Sequence, residues 1–448
     1  MTQGAGGAFD SLRPPSAEIV ADCVHCGFCL PACPTYVLWG EEMDSPRGRI
    51  LLMKAGLEGQ TGLTGSVVRH FDACLGCMGC VTACPSGVRY DELIEATRAQ
   101  VERRHHRSLP DRLYREAIFT IFPHPGRARA AAVAGWAYQR LGLAEQVRRR
   151  GLLDRLPARV RALDGLLPPV RLASLVRPVP ARVPAVGKPR LRVGLLTGCI
   201  QRAFFADVNA ATARVLAAEG CEVVAPRHQG CCGALMVHAG RERDAQRSAR
   251  SVVDAFEGTG VDAVVVNAAG CGSTLKEYGR LLVDDPEYAR RGAELAAKAR
   301  DVTEVLAELE PRAPRHPVAA RVAYHDACHL AHAQGIRLPP RQVLASVPGI
   351  ELVELGDDLC CGSAGIYNLV EPEAAEELGR RKAALVREAA VDALATANPG
   401  CLLQLRRHLG PAPPLFHPVE LVDASIRGRD PLDRPAAAAP RAAAGRRR

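Results

Sequence analysis

The chain has 448 residues, a formal net charge of +9 and an aromatic content of 4%. This length predicts about three domains of ordinary size. The positive charge is scattered, and so few aromatic side chains leave little surface for stacking on bases, which argues against a nucleic-acid-binding protein. Residues 1–20 lack the basic start and apolar stretch of a secretory signal, and no apolar run reaches the roughly 18 residues of a membrane span. We therefore expect a cytoplasmic protein, with any contact to the inner face of the cell membrane made peripherally through partners.

Cysteine is the most informative residue type in this chain. The 17 cysteines are an odd number in a protein expected in a reducing compartment, so disulfides are not expected and thiolates stay free to bind metal. Eight of them form two runs of the pattern C-x2-C-x2-C-x3-C-P. The first run consists of Cys23, Cys26, Cys29 and Cys33, and the second of Cys74, Cys77, Cys80 and Cys84.

This spacing is typical of bacterial ferredoxins with two [4Fe-4S] clusters, in which the fourth cysteine of each run binds the neighbouring cluster. The pattern therefore assigns one cluster to Cys23, Cys26, Cys29 and Cys84, and the other to Cys74, Cys77, Cys80 and Cys33. The alternative is a pair of structural zinc sites, but zinc requires neither the closely spaced third cysteine nor the proline after the fourth. Two adjacent clusters predict one-electron transfer through this part of the chain.

Helices are predicted around the cysteine runs. Ser45 followed by Pro46 predicts a helix start, because the serine oxygen can cap free amides and proline fits the first helical position. Gly56 predicts the end of that helix. A further helix is predicted at about residues 91–101. Residues 1–110 are therefore expected to form an all-helical ferredoxin module.

The next part of the chain keeps a helical pattern that prolines interrupt, from about residue 108 to residue 185. The prolines crowd together in residues 177–189, which predicts an extended linker. We expect residues 111–189 to form a helical connector with this linker at its end. The Ala/Pro-rich residues 431–448 are predicted to be a disordered tail.

Beyond residue 190 one pattern occurs twice. Each copy has an apolar strand that ends near a cysteine, a Cys-Cys-Gly sequence that begins 32 positions after that cysteine, and a last cysteine 40 or 41 positions further on. The first copy contains Cys199, Cys231, Cys232 and Cys271, and the second contains Cys328, Cys360, Cys361 and Cys401. Strand-like and helix-like runs alternate, which predicts a parallel sheet covered by helices. The expected fold class is a multidomain α+β protein, with two homologous α/β cysteine-rich domains at 190–315 and 316–430.

The four cysteines of each Cys-Cys-Gly copy form a complete ligand set for a further iron–sulfur cluster. A zinc site, a redox-active vicinal thiol pair, or buried cysteines left from an ancestral site are the alternatives. Adjacent cysteines can share a ligand only at a tight turn, which Gly233 and Gly362 would permit.

Several other residues lie near these cysteines. Cys221 falls outside the repeat and is expected to be an ordinary buried strand cysteine. Nearby histidines are expected to donate hydrogen bonds rather than bind metal, because the thiolates already complete the ligand sets. These histidines are His25, His228, His325 and His329.

The sequence contains no P-loop and no serine or cysteine nucleophile motif. Glycines at residues 4–7 lack the strand before them and the helix after them that a dinucleotide site requires. Oxidation of an organic substrate needs a two-electron cofactor, whereas this chain is predicted to carry only one-electron carriers. We therefore expect the flavin to be bound by partner subunits and not by this chain.

Residues from about 20 to 425 resemble the iron–sulfur subunits of bacterial glycolate oxidases. The segments that carry the resemblance are CVHCGFC at 23–29, CPTY at 33–36, SPRGRI at 45–50, CPSGVRY at 84–90, NAATARVL at 209–216, KEYG at 276–279 and LCCGSAG at 359–365. The resemblance implies a complex in which flavin-binding subunits oxidise glycolate to glyoxylate, some members also accepting D-lactate. This chain would then be the electron-transfer subunit of a glycolate dehydrogenase, without catalytic residues of its own, and would pass electrons to an acceptor such as quinone.

The two Cys-Cys-Gly copies also resemble the wider cysteine-rich domain family that includes a heterodisulfide reductase subunit. Its fullest motif ends in C-x2-C, whereas Cys271 and Cys401 are not followed by a second cysteine. The missing cysteines argue against noncubane clusters and disulfide reduction. The alternatives to the glycolate type are a heterodisulfide-type reductase, a scaffold that its clusters merely stabilise, and the iron–sulfur subunit of a glycerol-3-phosphate or lactate dehydrogenase. The SPRGRI spacer and the fusion of all modules in one chain favour the glycolate type.

Overall fold

The computed structural model describes residues 7–170 and 178–433. The predicted linker is thus described from residue 178 onward. Residues 434–448, which are most of the predicted tail, lie outside the described residues. So do residues 1–6, which include most of the glycine stretch at residues 4–7 and the start of the segment 1–20.

The cysteine runs lie among short helices in the N-terminal part of the chain. These are α-helices Ala17–Ala21, Pro34–Trp39, Pro46–Leu57, Gly65–Ala73, Gly79–Thr82 and Tyr90–Arg104, with a 3-10 helix at Glu42–Asp44. The Oγ atom of Ser45 accepts a hydrogen bond from the amide of Gly48 at 3.0 Å, which confirms the predicted helix start. The helix continues one residue past Gly56 and ends at Leu57, with Glu58 as its C-cap. Met53, Leu93 and other apolar side chains form the core of this part.

The connector consists of short helices whose boundaries are set by prolines. It contains α-helices Leu109–Ile121, Pro125–Arg140, Leu143–Arg149 and Ala158–Leu166, and a 3-10 helix at Leu153–Arg155. Pro125 occupies the first turn of its helix, and Pro157 directly precedes the last one. Among the described helices, none combines the length and apolar character needed to cross a lipid bilayer.

The two Cys-Cys-Gly copies contain sheets in which four parallel strands have the same order. In the first copy the strands are β1 (Arg182–Val183), β2 (Leu191–Leu196), β3 (Cys221–Val224), β4 (Ala263–Val266) and β5 (Ala299–Asp301), in the order β1-β3-β2-β4-β5. In the second they are β6 (Ala320–Tyr324), β7 (Ile350–Glu354), β8 (Ala393–Ala395) and β9 (Leu415–Phe416), in the order β7-β6-β8-β9. All neighbouring strands are parallel except β1, which runs antiparallel to β3.

The strand register shows how closely the two copies correspond. Leu191 pairs with Cys221 in the first sheet, and Ala320 pairs with Ile350 in the second, so Cys221 occupies the position of Ile350. Cys221 is fully buried in its strand, as the sequence predicted. The strand β1 lies within the proline-rich linker, which is therefore held against the first sheet at this point instead of being extended throughout.

Helices cover both sheets and bring them together. The first copy contains helices Ile200–Phe204, Ala206–Ala218, Ala234–His238, Glu242–Phe256, Ala269–Lys276, Tyr278–Leu281, Ala289–Lys298 and Val302–Glu308. The second contains helices Cys328–Ala331, Leu338–Ala345, Tyr367–Val370, Pro372–Glu388, Pro399–Leu409 and Pro418–Ile426. One hydrophobic core includes Val193 of the first sheet and Val322 of the second. The predicted fold class, a helical ferredoxin module followed by two homologous α/β domains, is confirmed.

Specific polar contacts fix the relative positions of these parts. Just beyond strands β4 and β8, the amide of Ala269 donates to the carbonyl of Ala397 at 3.1 Å, so the carboxyl ends of the two sheets face each other. The N-terminal helices dock on both copies, through an ion pair between Glu95 and Arg280 at 2.6 Å and through Thr82, whose Oγ1 lies 2.7 Å from Nδ1 of His332. The second cysteine run and the two repeats therefore meet at one junction.

Candidate iron–sulfur centres

The first cysteine run lies in a loop at the protein surface, directly after helix Ala17–Ala21. Cys26 is exposed, whereas Cys23 and Cys29 are half-buried. Cys84 of the second run lies beside them, since these four residues line one cavity of about 30 Å³, to which Cys80 also contributes. This placement supports the crossed ligand assignment, which stays a prediction.

The second set is buried. Cys33, Cys74, Cys77 and Cys80 are all shielded from solvent. Burial raises the pKa of the Cys77 thiol well above its ordinary value, and the nearby Cys328, Cys33 and Cys74 raise it further. Burial likewise raises the pKa of Cys80, to which Cys77, Cys74 and Cys33 also contribute.

Such a set of thiols fits a cationic metal centre. Several thiolates cannot share one buried space without a positive charge, and iron ions supply the charge that holds cysteine in its ionised form. The chemistry of the donor set, four cysteine sulfurs from two separate runs, is that of a [4Fe-4S] cluster. The convergence of Cys33 with the second run therefore fits the group that the spacing predicts.

A buried arginine lies next to the second set. Arg49 is 1% exposed, and its Nη1 atom lies 4.0 Å from the sulfur of Cys33. Its Nε donates to the carbonyl of His70 at 2.6 Å, its Nη2 donates to Oγ1 of Thr35 at 3.1 Å, and the carboxylate of Asp44 is 3.5 Å away. These contacts hold one positive charge against the cysteines.

The sulfur of Cys74 has several stabilising neighbours. It accepts hydrogen bonds from the amide of Gly76 at 3.3 Å and from the hydroxyl of Tyr90 at 3.7 Å. Burial alone would raise the pKa of the Cys74 thiol, but the positive charges of Arg49 and Arg98 outweigh it, and the pKa is lowered. Sequence reasoning gave Arg49 and Arg98 no role. The only available signal was the presence of Arg49 within the SPRGRI spacer.

The second cysteine run meets the second Cys-Cys-Gly copy. Cys77, Cys328 and Cys360 belong to one buried side-chain cluster, which also contains Leu75 and Tyr367. Each copy's cysteines were predicted to converge, but this meeting of two separate sets was not predicted, because nothing in the local sequence indicates it.

The cysteines of the first copy converge in two pairs. The sulfurs of Cys199 and Cys231 are 3.5 Å apart, and those of Cys232 and Cys271 are 3.0 Å apart. Gly233, which follows the adjacent pair, has a φ of 90° that glycine adopts without strain.

The second copy has the same arrangement with an added histidine. The sulfurs of Cys328 and Cys360 are 3.9 Å apart, and the sulfurs of Cys361 and Cys401 lie within 4.8 Å of each other and of a ring nitrogen of His325. Burial lowers the pKa of His325 to about 3, so its imidazole is neutral and can offer a lone pair to a metal. His325 was predicted only as a hydrogen-bond donor, and the structure places it where it could also be a ligand.

The remaining histidines near cysteines have different surroundings. Nδ1 of His329 lies 3.6 Å from the sulfur of Cys328, in agreement with the predicted hydrogen bond. The carbonyl of His25 accepts a hydrogen bond from Arg47, and the His228 side chain is exposed. His238, which the sequence did not single out, packs edge-to-face on His329 with 4.6 Å between ring centroids.

Both Cys-Cys-Gly sets line a single large cavity. It has a volume of about 590 Å³ and lies between the two copies and the connector. The eight repeat cysteines line this cavity, and so do His238, His329 and many aliphatic side chains. The carboxyl ends of the two sheets therefore enclose one space.

Comparison with known proteins agrees with this architecture. A family model described as a 4Fe-4S dicluster domain matches residues 19–88, and one described as the linker region of the glycolate oxidase iron-sulfur subunit matches residues 110–167. A third, described as a cysteine-rich domain, matches residues 193–276 and 322–406. The four matches correspond to the helical module, the connector and the two repeats.

Whole-chain relatives identify the family. A probable glycolate oxidase iron-sulfur subunit of Bacillus subtilis is 41% identical over 392 residues, covering 86% of this chain and 88% of that protein. The glycolate oxidase iron-sulfur subunit of Escherichia coli is 36% identical over 417 residues, covering 91% and 95%. Lactate utilization protein A of Oceanobacillus iheyensis is 31% identical over 217 residues, which is 48% of this chain and 88% of that protein. The chain therefore belongs to the family of glycolate oxidase iron–sulfur subunits.

Proposed function

We propose that this chain is the electron-transfer subunit of a complex whose flavin-bearing partners oxidise glycolate to glyoxylate, and that it delivers the electrons to an acceptor such as quinone. The observation that carries the proposal is the contact between an exposed cysteine set and a buried one. Cys80 of the buried set lines the same small cavity as Cys23, Cys26, Cys29 and Cys84. An electron that arrives at the surface therefore has a neighbouring site further inside the protein.

The proposed ligand sets are those of the crossed assignment. Each set would hold one [4Fe-4S] cluster, which supplies one-electron transfer when bound. In this proposal residues 1–110 carry both sets, residues 111–189 connect them to the repeats, and the repeats span 190–315 and 316–430. The repeat cysteines hold a further cluster or zinc. The second copy has one more possible metal ligand than the first, because His325 lies beside Cys361 and Cys401.

The exposed loop of the first run is the proposed docking surface for the flavin subunits. Val24 and Phe28 flank the exposed Cys26, and their side chains are 68% and 66% exposed. Apolar side chains at the tip of a metal-binding loop favour contact with a protein surface, because their burial is stabilising and excludes water from the path of the electron. The partner's flavin would then lie close to the first set.

Substrate chemistry belongs to the partners in this proposal. The chain itself contributes no catalytic residue, and its location is cytoplasmic, with membrane contact made through partners or at the acceptor. D-Lactate is the second candidate substrate, since lactate utilization protein A is related to half of this chain.

The test is an anaerobic reconstitution of the chain with its flavin subunits. The isolated chain should contain about eight iron atoms if only the two N-terminal clusters form. Glycolate should bleach the iron–sulfur absorbance only when the flavin subunits are present, and D-lactate in the same assay decides between the two substrates. Zinc in place of iron, or iron that glycolate never reduces, would contradict the proposal. Reduction of disulfides by the chain alone would favour the reductase alternative.

A pair of variants tests the docking surface. Phe28→Asp should weaken binding of the flavin subunits and slow glycolate-dependent bleaching, because it places a charge where an apolar contact is proposed. Leu338→Asp, at a position of similar exposure on the second copy, is the matched control. Equal rates for the two variants would place the docking surface elsewhere.

A further inference from the structure

We infer that the cavity shared by the two Cys-Cys-Gly copies binds a lipid-soluble quinone and is the place where the electrons leave this chain. The inference rests on the proposed function for the source of the electrons. It adds the site of the acceptor, the chemical class of the occupant and the residues that contact it.

The size and lining of the cavity suit such an occupant. The volume of about 590 Å³ includes the space beside the repeat cysteines that the proposed cluster or zinc would fill, and the remainder is the space proposed for the quinone. Small-molecule sites are mostly apolar with a few polar groups. Leu156, Val160 and Leu163 of the connector form one wall, and Leu235 and Leu403 belong to the two repeats. An apolar compound of moderate size with a polar head matches these walls better than a charged metabolite does.

The cavity lies on the electron path. Cys328 and Cys360 line it, and the same two residues share a buried cluster with Cys77 of the second ferredoxin-type set. An acceptor in the cavity is thus adjacent to the most deeply buried part of the electron-transfer chain.

A pair of imidazoles lies between this cavity and a second one. His238 and His329 line this cavity and also a second one of about 350 Å³, whose walls include the acidic residues Asp91, Glu92 and Glu277. The two rings pack edge-to-face with 4.6 Å between their centroids, so they form one polar contact between the two cavities.

The reaction balances in electrons and protons. Glycolate loses two electrons and two protons at the partner and becomes glyoxylate. The quinone gains two electrons through this chain, one at a time, and two protons from water. Its two carbonyl groups become two hydroxyl groups, and no other oxidant or reductant is required.

The connector lines an opening of the cavity to the surface, through which the apolar tail of a quinone could extend. Leu156, Val160 and Leu163 line the cavity and are also exposed at the protein surface. Exposed arginines lie on the same stretch of connector, at Arg150, Arg155 and Arg161. Exposed apolar side chains interspersed with basic ones favour contact with an anionic lipid surface, where quinones dissolve.

The test uses the full chain with its clusters, decyl-quinone as the probe, and variants that fill the cavity. Leu403→Trp fills the cavity from the second repeat. Val160→Trp fills it from the connector, and this position is far in sequence from every cysteine. Leu338→Trp, at an exposed position away from the cavity lining, is the control. Iron content equal to the wild type identifies variants that have folded.

Both filling variants should bind decyl-quinone about tenfold more weakly or worse, whereas the control should bind it normally. With the flavin subunits added, they should reduce quinone more slowly but keep normal glycolate-dependent bleaching. Unchanged binding in both folded variants would overturn the inference, and so would equal affinity for decyl-quinone and decanol, since the head group would then not be recognised. If glycolate fails to bleach even the wild type, the proposed function is wrong, whereas lost decyl-quinone binding in the variants still supports the site.

Discussion

The Nη1 atom of Arg49 lies 4.0 Å from the sulfur of Cys33, and both side chains are buried. A cation in a buried position acts over a low effective dielectric constant, so its attraction for nearby negative charge is stronger than at the surface. Reduction adds one negative charge to an iron–sulfur cluster. Arg49 should therefore favour the reduced state of the cluster proposed for Cys33 and the second run.

Replacement of this arginine tests its electrostatic role. Arg49→Gln should lower the midpoint potential of the second cluster by tens of millivolts, because net charge and hydrogen bonds near the sulfurs set the potential. Redox titration followed by electron paramagnetic resonance measures the change. Lys54→Gln removes the same charge from an exposed position on the same helix and is the control. An unchanged potential in an Arg49→Gln protein with full iron content would show that Arg49 serves packing alone.

A second prediction concerns Cys77, the residue of the second run that meets the repeats. Cys77→Ser should abolish the second cluster and lower the iron content from about eight atoms to about four. Glycolate should still reduce the flavin of the partner, but electrons should no longer reach the acceptor. Iron analysis and stopped-flow absorbance separate these steps. Cys221→Ala, which changes a buried cysteine outside every set, should keep both the iron and the electron transfer.

Much of the local architecture could be predicted from the sequence because short-range rules decide it. Cys221 was predicted to lie in a strand and is found in β3, and the Ser45 cap begins its helix at Pro46. The equal spacing of the repeat cysteines predicted two copies of one domain, and the sheets have matching strand orders. Each of these features depends on residues that are close in sequence or on an internal repeat.

The features that were not predicted depend on contacts between distant parts of the chain. Cys77 and Cys328 share one buried cluster although they belong to different domains, and the shared cavity needs the connector as well as both repeats. The strand β1 was missed for the same reason, since its proline-rich sequence favours an extended linker and only pairing with β3 makes it a strand. His238 has no cysteine beside it in sequence.

The glycine after the second Cys-Cys pair provides a third prediction. Gly362 has a φ of 89°, and a Cβ atom there would lie 2.7 Å from the carbonyl oxygen of Ala375. Gly356 has a φ of 66° with no neighbouring atom within 4 Å of such a Cβ. Gly356→Ala should therefore cost only the backbone strain of about 1–2 kcal/mol. Gly362→Ala should cost about 1–3 kcal/mol more, because it also forces an overlap.

Thermal unfolding measures the difference between these two variants. The apparent Tm should fall further for Gly362→Ala than for Gly356→Ala, and any metal bound by the second copy should be lost from Gly362→Ala first. Equal shifts would mean that the helix Pro372–Glu388, which carries Ala375, moves aside at little cost.

The last prediction concerns Asp301, which caps helix Val302–Glu308 from a buried position. Its Oδ1 accepts hydrogen bonds from the amide and the hydroxyl of Thr303, at 2.8 and 2.6 Å, whereas Oδ2 has no partner among the described residues. Burial raises the pKa of this carboxyl to about 6. The folded protein thus keeps a proton that the unfolded chain releases near pH 4. The stabilisation from this group is complete below the unfolded pKa and is lost as the pH rises through 6.

Asp301→Asn should remove that pH dependence, because asparagine keeps the accepting oxygen and cannot ionise. Between pH 5 and 7.5 the apparent Tm of the wild type should fall relative to that of the variant, by the equivalent of on the order of 1 kcal/mol. Asp285→Asn is a control whose effect on the Tm should stay constant between pH 5 and 7.5. Burial alone would raise the pKa of Asp285, but hydrogen bonds from Arg250 and from the backbone lower it, so its ionised form stabilises the fold at neutral pH. Parallel Tm curves for wild type and Asp301→Asn would show that Asp301 is ionised in the folded protein throughout this range.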